Sequence, residues 1–223
     1  MRLQLPTYAY AHGFLSGPTS SKGLFIHRAL QARFSLDLSL LDLNGPAGIG
    51  GLRPERALSA IDECYAAGSG TPLRLIGSSF GGWAVARYAE LYPDRVDRML
   101  LLCPSFRLGS RWEHIVGGSE ELAAWHAGGF RAFTVPASGE QVAVSWDFVE
   151  QTRHLVDMPT LAHRVTVIHG AEDEVVPPSF SQQFCAQCSQ AKLVLVQDDH
   201  ALTAVETLEQ LAIEAVELFD LES

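Results

Sequence analysis

A chain of 223 residues, 47% hydrophobic and 19% charged, is long and apolar enough for one domain with a full core. Its 26 acidic residues against 16 Lys and Arg leave a net charge of −10 with no basic run, which argues against nucleic acid or an anionic membrane surface as partner. No apolar run reaches bilayer-spanning length, Met1–Pro6 lacks a signal-peptide layout, and Cys64, Cys103, Cys185 and Cys188 fit no disulfide framework, so a reducing, cytoplasmic setting is expected.

In chain order, residues 3–11 read as a strand that ends at His12-Gly13-Phe14. A Gly-, Pro-, Ser- and Thr-rich loop follows. Ser21 is placed to cap a helix running to about Arg33, with Phe25, Ile26, Ala29 and Leu30 on one face. Residues 34–41 alternate as a strand, broken by Asn44-Gly45-Pro46. A helix is expected over 54–67, a strand over 73–76, a helix over 83–91 and a strand over 96–103. Residues 104–161 read as an irregular insertion carrying Trp112, Trp125 and Trp146. Beyond it come a strand at 164–169, a helix at 179–188, a strand at 192–196 and a closing helix at 201–219. Strand–helix alternation of this kind predicts an α/β fold: a mostly parallel sheet of about six strands, with helices on both faces.

The stretch Gly77-Ser78-Ser79-Phe80-Gly81 falls between a predicted strand and a predicted helix. Gly-x-Ser-x-Gly needs that context. The turn is sharp, so the positions two before and two after the serine must be nearly free of side chains, and Gly77 and Gly81 meet the need. The turn also lifts the serine above the carboxyl ends of the strands and sets it at a helix N-terminus. A serine hydroxyl is a weak nucleophile at neutral pH and needs a base held by a third group. Two later loops supply candidates at the same sheet edge. Asp173 follows the strand ending at His169, with Glu172 and Glu174 as neighbours able to take its role. His200 follows the strand ending near Val196, beside the loop acids Asp198 and Asp199.

A tetrahedral oxyanion needs two donors. The backbone N–H of Phe80 is one candidate; Phe14, with Leu15 second, is the other. His12 reads as a structural loop residue. No histidine spacing marks a metal site, Cys185-x-x-Cys188 has no partner pair, and no cofactor is called for. Aromatic residues of the insertion, Trp112, Phe130 and Trp146 foremost, are candidates to line a substrate pocket.

Taken together, His12-Gly13-Phe14, Gly77-x-Ser79-x-Gly81, His169-Gly-x-x-Asp173-x-x-Val176-Pro177 and the late His200 resemble the α/β-hydrolase superfamily over nearly the whole chain. The stretch from His12 to Lys22 is similar to small bacterial esterases; Ser79–Trp83 and residues 139–153 are similar to small acyl-thioesterases and serine peptidase-like hydrolases. The resemblance implies one α/β-hydrolase domain over 1–223 with a cap at about 104–161. It implies Ser79, Asp173 and His200 as a triad that cleaves esters or thioesters of a small-molecule acyl substrate. A peptidase, a carbon–carbon hydrolase, a lyase or a non-catalytic binding member on the same frame remain open. The superfamily's usual sheet has eight strands; six are expected here.

Overall fold

The computed structural model describes residues 6–222. Six strands form one parallel sheet: β1 (Thr7–Ala11), β2 (Leu38–Leu41), β3 (Leu73–Ser78), β4 (Val96–Leu102), β7 (Arg164–Gly170) and β8 (Ala191–Val196), in the order β2-β1-β3-β4-β7-β8. Residues 3–5 of the expected first strand lie outside the described residues.

The side-chain period of two sends successive residues to opposite faces, and both faces are apolar. Ala9, Leu75, Leu101 and Val167 join one core cluster; Tyr10, Ile76, Leu100 and Ile168 join the other. The first cluster takes α2 (Pro54–Ala67), α3 (Phe80–Leu91) and α7 (Pro178–Gln187); the second takes α1 (Ser21–Phe34) and α8 (Val205–Leu218). Helices on both faces of a parallel sheet follow.

Helix ends depart from the sequence reading for local reasons. Ser20, not Ser21, caps α1, its hydroxyl accepting from the Gly23 N–H. That helix runs on through Phe34 and stops at Ser35 in left-handed geometry (φ 51°), so the second strand shortens to Leu38–Leu41. Residues 201–204 form a turn rather than helix, because Leu202 (φ 50°) buries its side chain in the core while Asp198 accepts from the Ala204 N–H.

Between β4 and β7 the chain is more ordered than expected. It holds α4 (Trp112–Val116), α5 (Ser119–Gly128), an antiparallel hairpin of β5 (Phe130–Thr134) and β6 (Gln141–Ser145), and α6 (Trp146–Arg153). An aromatic cluster binds these pieces. Trp112 packs edge-on to Trp125 at 5.5 Å and to Phe148 at 5.5 Å; Trp125 packs edge-on to Trp146 at 5.8 Å. The indole N–H groups of Trp112 and Trp125 donate to Thr152 Oγ1 (2.6 Å) and to the Val144 carbonyl (3.0 Å). No helix among the described residues is long and apolar enough to cross a membrane.

Candidate active site

Ser79 joins β3 to α3 with φ 53° and ψ −117°, a backbone state that an L-residue occupies only under constraint. The constraint is visible around it. Its N–H donates to the Leu102 carbonyl at 2.8 Å, and its own carbonyl accepts from Gly82, Trp83 and Ser105. The flanking glycines are required by space: a Cβ on Gly77 would lie 2.6 Å from the Gly81 carbonyl oxygen, and one on Gly81 would lie 2.2 Å from that of Ala11. Strand, turn and helix are thus packed backbone to backbone, and the serine side chain is left pointing out of the turn.

Asp173 follows β7 and His200 follows β8, both at the carboxyl edge of the sheet, as Ser79 is. The structure brings the three together. His200 Nε2 lies 3.0 Å from Ser79 Oγ, and His200 Nδ1 lies 2.7 Å from Asp173 Oδ2. The carboxylate is fixed on both oxygens. Oδ1 accepts from the N–H groups of Val175 (2.9 Å) and Val176 (2.7 Å); Oδ2 also faces His169 Nε2 at 3.1 Å. Burial works against ionisation of Asp173. The ring N–H bonds from His169 and His200, the attraction a protonated His200 ring adds and the Val176 N–H outweigh it and hold the carboxyl well below the usual carboxylate range. Because Nδ1–H of His200 points at that carboxylate, Nε2 carries the lone pair and faces the serine proton. Glu172 and Glu174, the alternatives for this place, border the cleft instead and make no bond to His200 among the described residues.

His169 is a second buried imidazole, and the sequence reading gave it no role beyond the motif. Its Nε2–H is shared between Asp173 and the Val176 carbonyl (2.9 Å), and Nδ1 faces the Ser181 hydroxyl at 2.7 Å. It ties the acid loop to β7 and α7. Cys103, at the end of β4, completes this layer. The Gly170 N–H points at its sulfur at 3.5 Å, and burial pushes the thiol pKa up. Cys103, His169 and Asp173 are close enough for a metal, yet the imidazole and carboxylate are already engaged with one another and with Ser181, Val176 and His200.

The loop after β1 closes the other side. Gly13 lies against the serine, so that a Cβ there would sit 3.1 Å from Ser79 Cβ and 3.7 Å from Oγ. Phe14 follows, and next to it Leu15 in left-handed geometry (φ 54°). Phe80 heads α3 with its side chain fully buried, stacked on Trp83 at 5.4 Å. His12 is held on both nitrogens. Nδ1–H donates to the Gly13 carbonyl (2.9 Å), Nε2 accepts from the Leu43 N–H (3.1 Å), and burial lowers the ring's pKa, so it holds the loop as a neutral imidazole.

A cleft of about 790 Å3 opens over Ser79 and His200. Phe14, Leu15 and Val175 give it apolar wall. Tyr10, Ser21 and Lys22 give it a polar arm on the α1 side, and Pro136 and Ala137 at the tip of the β5–β6 hairpin reach its rim. The expected aromatic lining is corrected here. Trp112 is 2% exposed and Trp146 is 8% exposed, both packed inside the insertion, while Phe130 is 64% exposed on the outer side of the hairpin. None of the three borders the cleft; Phe14 stands between it and the aromatic cluster, stacked on Phe148 at 5.1 Å. Isolated aromatics in a sequence carry no sign of which side they face, and the hairpin that decides it was read as irregular chain.

Lys22 ends the His12–Lys22 stretch, where the sequence assigns it no role. Its ammonium donates to the carbonyl of Ala201, the residue after His200. Asp199 Oδ1 accepts from the Ala201 N–H at 2.7 Å, so side chains hold both backbone polar groups of that residue. Ser105 was also passed over; its hydroxyl lies 2.9 Å from Ser79 Oγ.

Sheet order, turn and cleft define an α/β-hydrolase fold. Solved structures agree over nearly the full chain. Alpha/beta hydrolase domain-containing protein 10 from mouse superposes with a TM-score of 0.78 at 19% identity, covering 99% of this chain and 92% of its own. Est1E from Butyrivibrio proteoclasticus with ferulic acid bound gives 0.75 at 18% identity, covering 98% and 91%. The monoacylglycerol lipase of Paleococcus ferrophilus gives 0.69 at 18%, covering 96% and 95%. Within this fold the chain belongs to the family described as Uncharacterised protein family (UPF0227), whose model matches residues 7–216. No curated protein matches the chain.

Proposed function

We propose that the protein is a serine hydrolase that cleaves carboxylic ester or thioester bonds of small to medium acyl substrates through an acyl-enzyme. The observation that carries this reading is the unbroken chain of contacts from Asp173 through His200 to Ser79, at the floor of an open cleft. Ser79 Oγ attacks the substrate carbonyl as His200 Nε2 takes its proton; His200 then returns that proton to the leaving alcohol or thiol. Asp173 keeps the imidazole in the required tautomer and stabilises its positive charge. The N–H groups of Phe80 and Phe14 are the donors for the oxyanion: the first lies at the positive end of α3, the second in the loop pressed against Ser79. Water repeats the cycle on the acyl-enzyme. A cleft of about 790 Å3 suits an acyl group of moderate size.

On this reading residues 104–161 act as the cap of a single domain, and its hairpin tip forms part of the cleft rim. Four free cysteines suit a cytoplasmic setting. A peptidase is the second reading, favoured by Glu172, Glu174 and Asp199 at the cleft, which offer carboxylates to a free amine.

The test is a matched series of oxygen esters and thioesters from acetyl to palmitoyl, with aminoacyl amides beside them, for native protein and Ser79→Ala. Turnover of esters or thioesters, lost in the variant, is expected. Turnover confined to amides with a free amine establishes the second reading, and turnover that survives Ser79→Ala overturns both.

A further inference from the structure

The proton count around Ser79 constrains a residue outside the triad. His200 Nδ1–H is committed to Asp173 at 2.7 Å, so Nε2 can only accept, and the 3.0 Å contact with Ser79 Oγ takes the serine's single proton. The 2.9 Å contact between Ser79 Oγ and Ser105 Oγ therefore has one consistent direction: Ser105 donates and Ser79 accepts. Ser105 is only 6% exposed and firmly seated. Its N–H donates to the Ser79 carbonyl at 3.0 Å; Pro104 before it lies against the bare α-carbon of Gly82; Phe106 after it is fully buried and stacked on Phe184 at 4.7 Å. Ser105 does not border the cleft, so its hydroxyl meets Ser79 Oγ without lining the substrate space.

We propose that Ser105 is a further catalytic residue, a hydrogen-bond donor to Ser79 Oγ that accelerates breakdown of the acyl-enzyme. The inference rests on the acyl-enzyme reading above. Its logic is that the acceptor strength of Oγ changes along the reaction. In the free enzyme Oγ is a hydroxyl oxygen, a good acceptor. In the acyl-enzyme it is an ester oxygen, a poor one. Acylation therefore weakens the bond from Ser105, and deacylation restores it. In deacylation, water attacks the acyl carbon as His200 Nε2 takes one of its protons. The tetrahedral adduct then collapses: the bond between the acyl carbon and Ser79 Oγ breaks, its electron pair goes to Oγ, and His200 delivers the proton there. Negative charge builds on Oγ as that bond breaks, and a donor already in place stabilises it. Ser105 keeps its own proton throughout.

The two half-reactions thus respond differently, which a merely structural residue would not produce. Rapid mixing with p-nitrophenyl butyrate gives p-nitrophenol release, and mass detection of acylated Ser79 in quenched samples gives both rate constants; native protein, Ser105→Ala and Ser105→Thr are compared, with thermal unfolding alongside. Loss of a bond to a charge-bearing oxygen corresponds to roughly a tenfold slowing. The expected result is deacylation about tenfold slower in Ser105→Ala, acylation unchanged or faster, and acyl-Ser79 accumulating toward one equivalent per chain, with Ser105→Thr restoring deacylation in part. Equal slowing of both steps, or no change in either, overturns the proposal with the hydrolase reading intact. Absence of Ser79-dependent release from native protein is a separate result, which fails that reading and takes the role of Ser105 with it.

Discussion

Replacing Gly81 by alanine sets two well-calibrated effects against each other. In an open helix interior the change is stabilising by about 1 kcal/mol, through lower backbone entropy in the unfolded chain. At Gly81 the new methyl would meet the carbonyl oxygens of Ala11 at 2.2 Å and His12 at 2.5 Å. These distances are roughly 1 Å short of the closest C–H···O contacts. Both obstacles are backbone at the end of β1, so no rotamer change relieves them, and overpacking sits near the upper end of its usual range, about 3 kcal/mol. The net expectation is destabilisation of about 2 kcal/mol, which for a chain of this size lowers Tm by roughly 4–8 °C. Relief requires α3 and the end of β1 to separate, which moves Ser79 away from the proposed oxyanion donor in the His12–Phe14 loop. A displacement of that order costs about a hundredfold in rate. Calorimetry and the rate of Ser79 labelling by a fluorophosphonate measure the two effects. Gly128→Ala is the control, because it lies in α5 with nothing within 4 Å of its added carbon, and its Tm should hold or rise. An unchanged or raised Tm in Gly81→Ala, with native labelling, would refute the argument that the elbow is packed backbone on backbone.

Asp173→Asn puts an amide N–H2 either against the rings of His169 and His200 or against the N–H groups of Val175 and Val176, so donor faces donor in both orientations; kcat should fall about 10⁴-fold while the cleft persists, as read with the best ester substrate. The depressed carboxyl pKa of Asp173 sets the sign of one acid effect. Its contribution to stability is complete above the unfolded value of about 4 and is lost as pH falls below that. Melting curves at pH 6 and pH 3 should therefore show native protein losing more than Asp173→Asn. Lys22→Met removes the cation that holds the Ala201 carbonyl; kcat should fall roughly tenfold with KM little changed, and Lys22→Arg should recover part of it. An effect of Lys22→Met on KM alone would instead assign Lys22 to substrate binding.

The sheet was legible because its strands carry apolar residues on both faces between glycine and proline breaks, and the elbow was legible because steric need fixes glycine at 77 and 81. The order of Ser79, Asp173 and His200 could be read because each falls just past a strand. What escaped was set by tertiary contact. The β5–β6 hairpin alternates toward solvent on one side and a small aromatic core on the other, and its strands are only five residues each, so its pattern is weak. Trp112 and Trp146 were assigned to the wrong surface for the same reason. Ser105 belongs to no motif, and Lys22 closes a recognised stretch that assigns it no role: one touches a neighbour 26 positions away, the other a carbonyl 179 positions away. His169 sat inside a recognised stretch, yet only the burial of both its ring nitrogens reveals what it holds.

The place of His200 has a consequence for the order in which the protein becomes competent. His200 follows β8, an edge strand whose ladder partner is β7 alone. During synthesis the elbow at Ser79 emerges more than a hundred residues before that strand. On the proposed mechanism the serine has no proton acceptor until β8 has docked. The same mechanism makes reactivity a reporter of strand pairing: the first moment at which a fluorophosphonate labels Ser79 should mark the docking of β8 on β7.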